Sequence, residues 1–169
     1  MVQPPRQLQG PAFPDDRGDA DPVLAAALAA YAADPSRYAD ALAALQPTRL
    51  LVPVVAVLGE VETGPDGLAR EKSSDMAAVL LTGADGRTAL LAFTSLETMH
   101  AWNPDARPAP VTASLAALSA VQQEAAALLV DVAGPARLVV EGDDLRALAA
   151  GWRLVRVGER LGWIGPAER

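Results

Sequence analysis

Three stretches of the chain are apolar almost without interruption: LLVPVVAVL at 50–58, MAAVLLT at 76–82 and TALLAFT at 88–94. A strand with one wet face alternates apolar and polar residues, so unbroken apolar runs predict strands covered on both faces. Helices are therefore expected on both sides of a sheet. Pro53 has no amide hydrogen to give to a ladder, which puts the first strand at an edge or breaks it with a bulge. Gly83-Ala84-Asp85-Gly86 separates the second run from the third. Its glycines admit positive φ and predict a tight antiparallel hairpin.

Upstream of these runs the apolar period becomes helical. Leu24, Leu28 and Tyr31 fall at i, i+4 and i+7, and Tyr38, Leu42 and Leu45 repeat the spacing. Asp21-Pro22 and Asp34-Pro35 each set a capping carboxylate before a proline at the first helical position. Two short helices follow, expected as a helical hairpin laid on the sheet. Downstream, Thr94-Ser95-Leu96-Glu97 has the form of a capping box, with the Thr94 hydroxyl and Glu97 carboxylate opening a helix that runs to about Trp102. Asn103-Pro104 stops it. A longer helix is expected from Ser114 to Ala127, then short strands near Leu128–Val132 and Arg137–Val140, split by Gly134-Pro135. A last helix near Asp143–Ala150 leads to RLVRV and LGWI, joined by Gly158-Glu159-Arg160 as a terminal hairpin. The order predicts an α/β fold, with α+β as the alternative: one domain, a mixed sheet with an antiparallel hairpin, and helices packed on both faces.

Composition narrows the function classes. A chain of 169 residues, 51% hydrophobic, supports one core. Four prolines and two glycines within the first 19 residues mark 1–20 as a flexible tail, leaving 21–169 as the domain. The N-terminus lacks the basic-then-apolar order of a signal peptide. The longest strongly apolar run, Leu50–Leu58, is about half of the roughly 20 residues a membrane helix needs, so no membrane association is expected. The net charge of −7 repels polyphosphates. The helical hairpin carries Asp34-Pro35 where a helix-turn-helix usually has glycine, and no basic recognition face follows, so nucleic acid is not expected as a partner. With no cysteine, disulfides and thiol chemistry are excluded, and a reducing, cytoplasmic setting is expected.

Candidate chemistry is sparse. His100, the single histidine, lies between Met99 and Trp102 and is expected as a partly buried residue near a helix end rather than a catalytic base. Glu60, Glu62, Asp66, Glu71 and Asp75 make the segment after the first strand acidic, but Asp66-Gly67 lacks the alternating ligands of a calcium loop, so no metal is expected. Ser73-Ser74-Asp75 suits local capping. No glycine-rich phosphate loop is present, and no cofactor is expected. Arg87 and Arg107 are the candidate anion-binding pair, because a guanidinium grips a carboxylate through two parallel hydrogen bonds. The competing role is a carbonyl or a structural carboxylate such as Asp85 or Asp105. Trp102, Trp152 and Trp163 are expected to fill core. Trp152 or Trp163, if exposed beside Ile164, would form a candidate interaction surface for a protein partner or for a homodimer through the edge of the terminal hairpin.

Lys72-Ser73-Ser74-Asp75-Met76-Ala77, Asp85-Gly86-Arg87, Ala89-Leu90, Phe93-Thr94-Ser95 and Trp102-Asn103-Pro104-Asp105-Ala106-Arg107-Pro108 together resemble the SseB-type, or enhanced-serine-sensitivity, family in its actinobacterial form, at its N-terminal domain. The likeness is densest from about Glu71 to Pro110, and the order of elements stays compatible to about Glu141. The resemblance implies a small cytoplasmic α/β domain with no established catalytic residues, and it transfers no site. The expected function is a non-catalytic interaction or regulatory domain. The alternatives are a small-metabolite binding domain, for an amino acid or carboxylate, and an enzyme using carboxylates or His100.

Overall fold

The computed structural model describes residues 13–57, 62–63, 69–70 and 75–166. Residues 1–12 of the expected tail, Glu60, Asp66, Glu71 and the Ser73-Ser74 pair lie outside the described residues. The two Asp-Pro devices open helical structure as their chemistry dictates. Asp21 accepts hydrogen bonds from the amides of Val23 and Leu24, at 2.9 and 3.0 Å, and starts α1 (Pro22–Ala33). Asp34 caps a single 3-10 turn, Pro35–Arg37, that runs into α2 (Tyr38–Leu45). Tyr31 and Tyr38 meet edge to face with ring centroids 6.0 Å apart, locking the helical hairpin.

The strand β1 (Arg49–Val57) is followed by the two-residue pair β2 (Glu62–Thr63) and β3 (Ala69–Arg70), then by β4 (Asp75–Ala78) and β5 (Leu80–Thr82). The run MAAVLLT is thus not one strand: it breaks at Val79, with β4 pairing β1 and β5 pairing the next strand, β6 (Thr88–Ala92). Gly83 to Gly86 turn the hairpin as expected, with Gly86 at φ +80°. After α3 (Leu96–Trp102), residues that read as a loop form β7 (Arg107–Thr112). Two prolines argue against a strand, yet β7 is an edge strand, where a missing amide hydrogen costs little.

The same pairing corrects the expectation for Pro53. The three-stranded sheet has the order β4-β1-β7, so β1 is central and carries no edge. Pro53 and Pro108 face each other as a non-hydrogen-bonded pair: Leu51 exchanges hydrogen bonds with Phe93, so Pro53, two residues on, turns its nitrogen to that same side, where the β4 ladder begins only at Val54.

Beyond β7 come α4 (Ala113–Gln122), β8 (Ala127–Val130), β9 (Leu138–Glu141), α5 (Gly142–Ala149), and the hairpin β10 (Arg153–Val157) and β11 (Arg160–Ile164). Helix α4 ends five residues before the expected Ala127, where Glu124 takes φ +55° and turns the chain into β8. The second sheet has the order β5-β6-β8-β9, with β6 and β8 parallel and its other pairs antiparallel. A single bridge, Leu51 to Phe93, joins the sheets. The fold is an α/β domain with a mixed sheet.

Alternate strand residues supply two cores. Leu50, Val52, Leu90, Ala92, Leu128 and Val130 face one side and pack against α1, α2, α4 and α5. Leu51, Leu91 and Phe93 face the other and pack against Met99 of α3, with Trp102 stacked on Phe93 at 5.6 Å. Helices therefore lie on both faces, four on one and a short one on the other. Among the described residues, no helix is long and apolar enough to cross a membrane.

Candidate functional site

The C-terminal ends of the parallel pair β6 and β8 open a crevice, the usual place for a site in an open α/β sheet. Asp131 follows β8, is only 4% exposed, and takes φ +53°, a backbone state that non-glycine residues rarely adopt. Its Oδ1 accepts the Thr94 amide at 2.9 Å and the Thr98 hydroxyl at 2.7 Å, and its Oδ2 accepts the Thr94 hydroxyl at 2.7 Å. Thr94 is accordingly not the helix cap. Ser95 caps α3 by accepting the Thr98 amide, and Thr98 closes the box in place of Glu97. The expected capping box moves by one residue because the Thr94 side chain is held by the strand end beside it.

A cleft of about 500 Å³ opens beside this knot, against alanines of α1 and the loop before β9. Asp131 and Glu97 line it, and no basic side chain does. Such a lining repels anions, while Thr94, Ser95 and Thr98 are spent on one another and on Asp131. The cleft is a packing seam closed by a hydrogen-bond network. The signal in the sequence was an acidic residue closing an apolar strand, LLVD, ahead of a glycine-proline turn.

The two candidate arginines stand on different sheets. Arg87 immediately precedes β6 and pairs with Glu141 of β9, its Nη2 2.5 Å from the carboxylate. The structural carboxylate is thus Glu141 rather than Asp85 or Asp105. Arg87 borders a groove of about 160 Å³ of which Arg107 is not a lining residue. Arg107 opens β7, opposite Val54. His100 is exposed in the last turn of α3 rather than partly buried. Among the described residues, no group of three His, Asp or Glu side chains could hold a metal ion.

The terminal hairpin pairs with no other described strand. Its inner face docks on the helices: Leu154 and Trp163 pack against the main core, and the Trp163 indole Nε1 donates to Asp144 at 2.8 Å. Tyr38 lies in the same cluster, where burial and the Asp144 charge push its phenol well above the usual range. The Gln46 side chain imitates a strand neighbour, giving its Nε2 to the Trp152 carbonyl and accepting the Leu154 amide at 2.9 Å. Arg156 reaches Asp40 at 2.6 Å. The outer face carries Val157, 71% exposed, and Ile164, 52% exposed, at opposite ends of the strand pair, while Trp152, 41% exposed, lies on the Trp163 side. Trp152 and Trp163 also line a shallow cavity of about 430 Å³. The structure therefore gathers Trp152, Trp163 and Ile164 on one hairpin, with Trp163 as its anchor.

An α/β domain with two unequal cores and a terminal hairpin docked outside both sheets is the class that this geometry defines. Residues 24–147 match the family described as SseB protein N-terminal domain, and the chain belongs to that family. The match ends before β10, so the hairpin lies outside the matched region. No curated protein and no solved structure matches the chain.

Proposed function

We propose that this chain is a non-catalytic interaction domain that engages a protein partner through its terminal hairpin. The observation that supports this reading is the exposure of Val157 and Ile164 on the outer face and of Trp152 at the base of a strand pair that has no neighbouring strand among the described residues. Large apolar side chains at an exposed edge gain most from a partner that covers them, and an aromatic anchor is the usual centre of such a contact. Arg153 and Arg160 leave the hairpin basic within a chain of net charge −7, with Arg156 held by Asp40, which favours an acidic rim on the partner. The reading as a carboxylate-binding domain draws less support, since Arg87 is engaged by Glu141 and the cleft at Asp131 is lined by acids.

The test compares affinity capture by the wild-type chain and by V157E/I164E. A protein retained by the wild type, lost with the variant, and rebound in purified form with a Kd weakened at least about tenfold by the variant supports the reading. Identical captures, or none, count against it.

A further inference from the structure

The edge strand β9 carries its own complement. It is the last strand of the four-stranded sheet, paired only with β8 among the described residues. Leu138 and Val140 point into the core and are fully buried, whereas Val139 and Glu141 point to the other face, which no helix covers at this end. Alternation places Arg137, just ahead of the strand, on that same face. The face therefore reads cation, valine, anion along one edge. Gly142, at φ +62°, then turns the chain into α5, so the edge ends at the carboxylate.

We infer that β9 pairs antiparallel with β9 of a second copy of this chain, about a two-fold axis at Val139. In that register Val139 faces Val139 of the other copy, Leu138 faces Val140, and Arg137 faces Glu141 at both ends. Opposite charges directly across an antiparallel pair are favourable, and like charges are not. A shift to an axis at Val140 would set Glu141 against Val139, so the charges select the register. Exposed edges are normally guarded by charges that repel a second edge. This edge holds one charge of each sign, at the two positions that a two-fold axis superposes; Arg87 of the same chain bonds Glu141 through Oε2, which leaves Oε1 for Arg137 of the second copy. The other candidate edge does not share this property: Arg156 is held by Asp40, and the remaining charges of β10 and β11, Arg153 and Arg160, are both cations, so they offer no opposite-charge pair. Pairing through β9 joins two four-stranded sheets into one of eight and extends the apolar strip of Leu81, Leu129 and Val139 across the axis.

The experiment is sedimentation equilibrium on the full chain up to about 100 μM, with circular dichroism confirming that each variant is folded. The wild type is expected to approach twice the 17.5 kDa of one chain. R137E and E141K, each alone, set like charges across both ends and should weaken the dimer at least tenfold. An equimolar mixture of the two variants restores complementary charges at both ends and should recover the doubled mass. V139K sets two cations on the axis at a position already 39% exposed, and should also give the single-chain mass. The hairpin variant V157E/I164E should leave the dimer intact, which separates this interface from the partner surface proposed above. A wild type that stays at 17.5 kDa, single variants that dimerise like the wild type, a mixture that stays monomeric, or loss of the dimer in V157E/I164E would each overturn the inference.

Discussion

Asp131 occupies a left-handed backbone position that would suit glycine or asparagine better, and it is kept there by three hydrogen bonds. Removing the carboxylate leaves the Thr94 amide and hydroxyl buried without an acceptor, while the Thr98 hydroxyl keeps the Ser95 carbonyl at 3.1 Å. Asp131→Ala is therefore expected to cost about 2–4 kcal/mol in urea denaturation, because each orphaned buried donor carries a desolvation penalty. Asp131→Asn keeps one acceptor oxygen and tolerates the backbone, so its loss should be less than half as large. Equal stability of all three proteins would show that the knot does not hold β8 to α3. Gly18 is the second residue under constraint. Its φ is +81°, and a Cβ there would lie 2.3 Å from Cδ1 of Leu96. Gly18→Ala should lower stability by about 1–3 kcal/mol in thermal melts, from backbone strain and overpacking together.

At the scale of elements, residues 13–21 form a strap across the start of β1 and α3. Arg49 grips both oxygens of Asp16 and gives further hydrogen bonds to the carbonyls of Asp19 and Thr94, at 2.9 and 2.7 Å. The Gly18 carbonyl accepts the Leu96 amide at 2.8 Å. Residues 13–20 of the expected tail are thus bonded to the domain. The Arg49 hydrogen bond, helped by the Gly18 amide, holds the Asp16 carboxyl below its usual value against the opposing effect of burial. A folded-state pKa below the unfolded value of about 3.9 means that the stabilisation is fully present above that pH and is lost as pH falls through the folded value. Melting midpoints of the wild type should therefore drop on acidification below about pH 4, and Asp16→Asn should lie lower at neutral pH and fall less steeply. Parallel curves for the two would remove Asp16 from the acid response.

For the whole molecule, the family match ends at residue 147, and the hairpin beyond it adds only two half-buried anchors, Leu154 and Trp163, to the core. A chain ended at Ala150 should keep a cooperative melt while losing about 3 kcal/mol, the order of the apolar area those side chains remove from water. A non-cooperative melt would make the hairpin part of the domain's folding unit. Much of this architecture is legible in the sequence, because it rests on local rules. Asp21-Pro22 and Asp34-Pro35 start helical turns, Gly83 to Gly86 turn a hairpin, and the apolar runs of β1 and β6 face two cores, whereas Leu80–Thr82, expected to be covered on both faces, form an exposed edge strand. Each needs only the conformational preference or solvation of a few neighbouring residues. What the sequence left open depends on partners distant along the chain. Pro53 can sit in a central strand because its nitrogen faces the gap before the β4 ladder begins, and the capping box moves to Ser95 only because Asp131 claims Thr94. Arg87 meets Glu141, 54 residues away, and the charges of Arg137 and Glu141 gain meaning only once β9 is seen to be an edge. By itself the sequence determined most of the elements, because caps, turns and apolar periodicity act locally, but not β7 or the break at Val79. Tertiary pairing alone decided which polar groups were consumed inside the fold and which edges and side chains were left exposed.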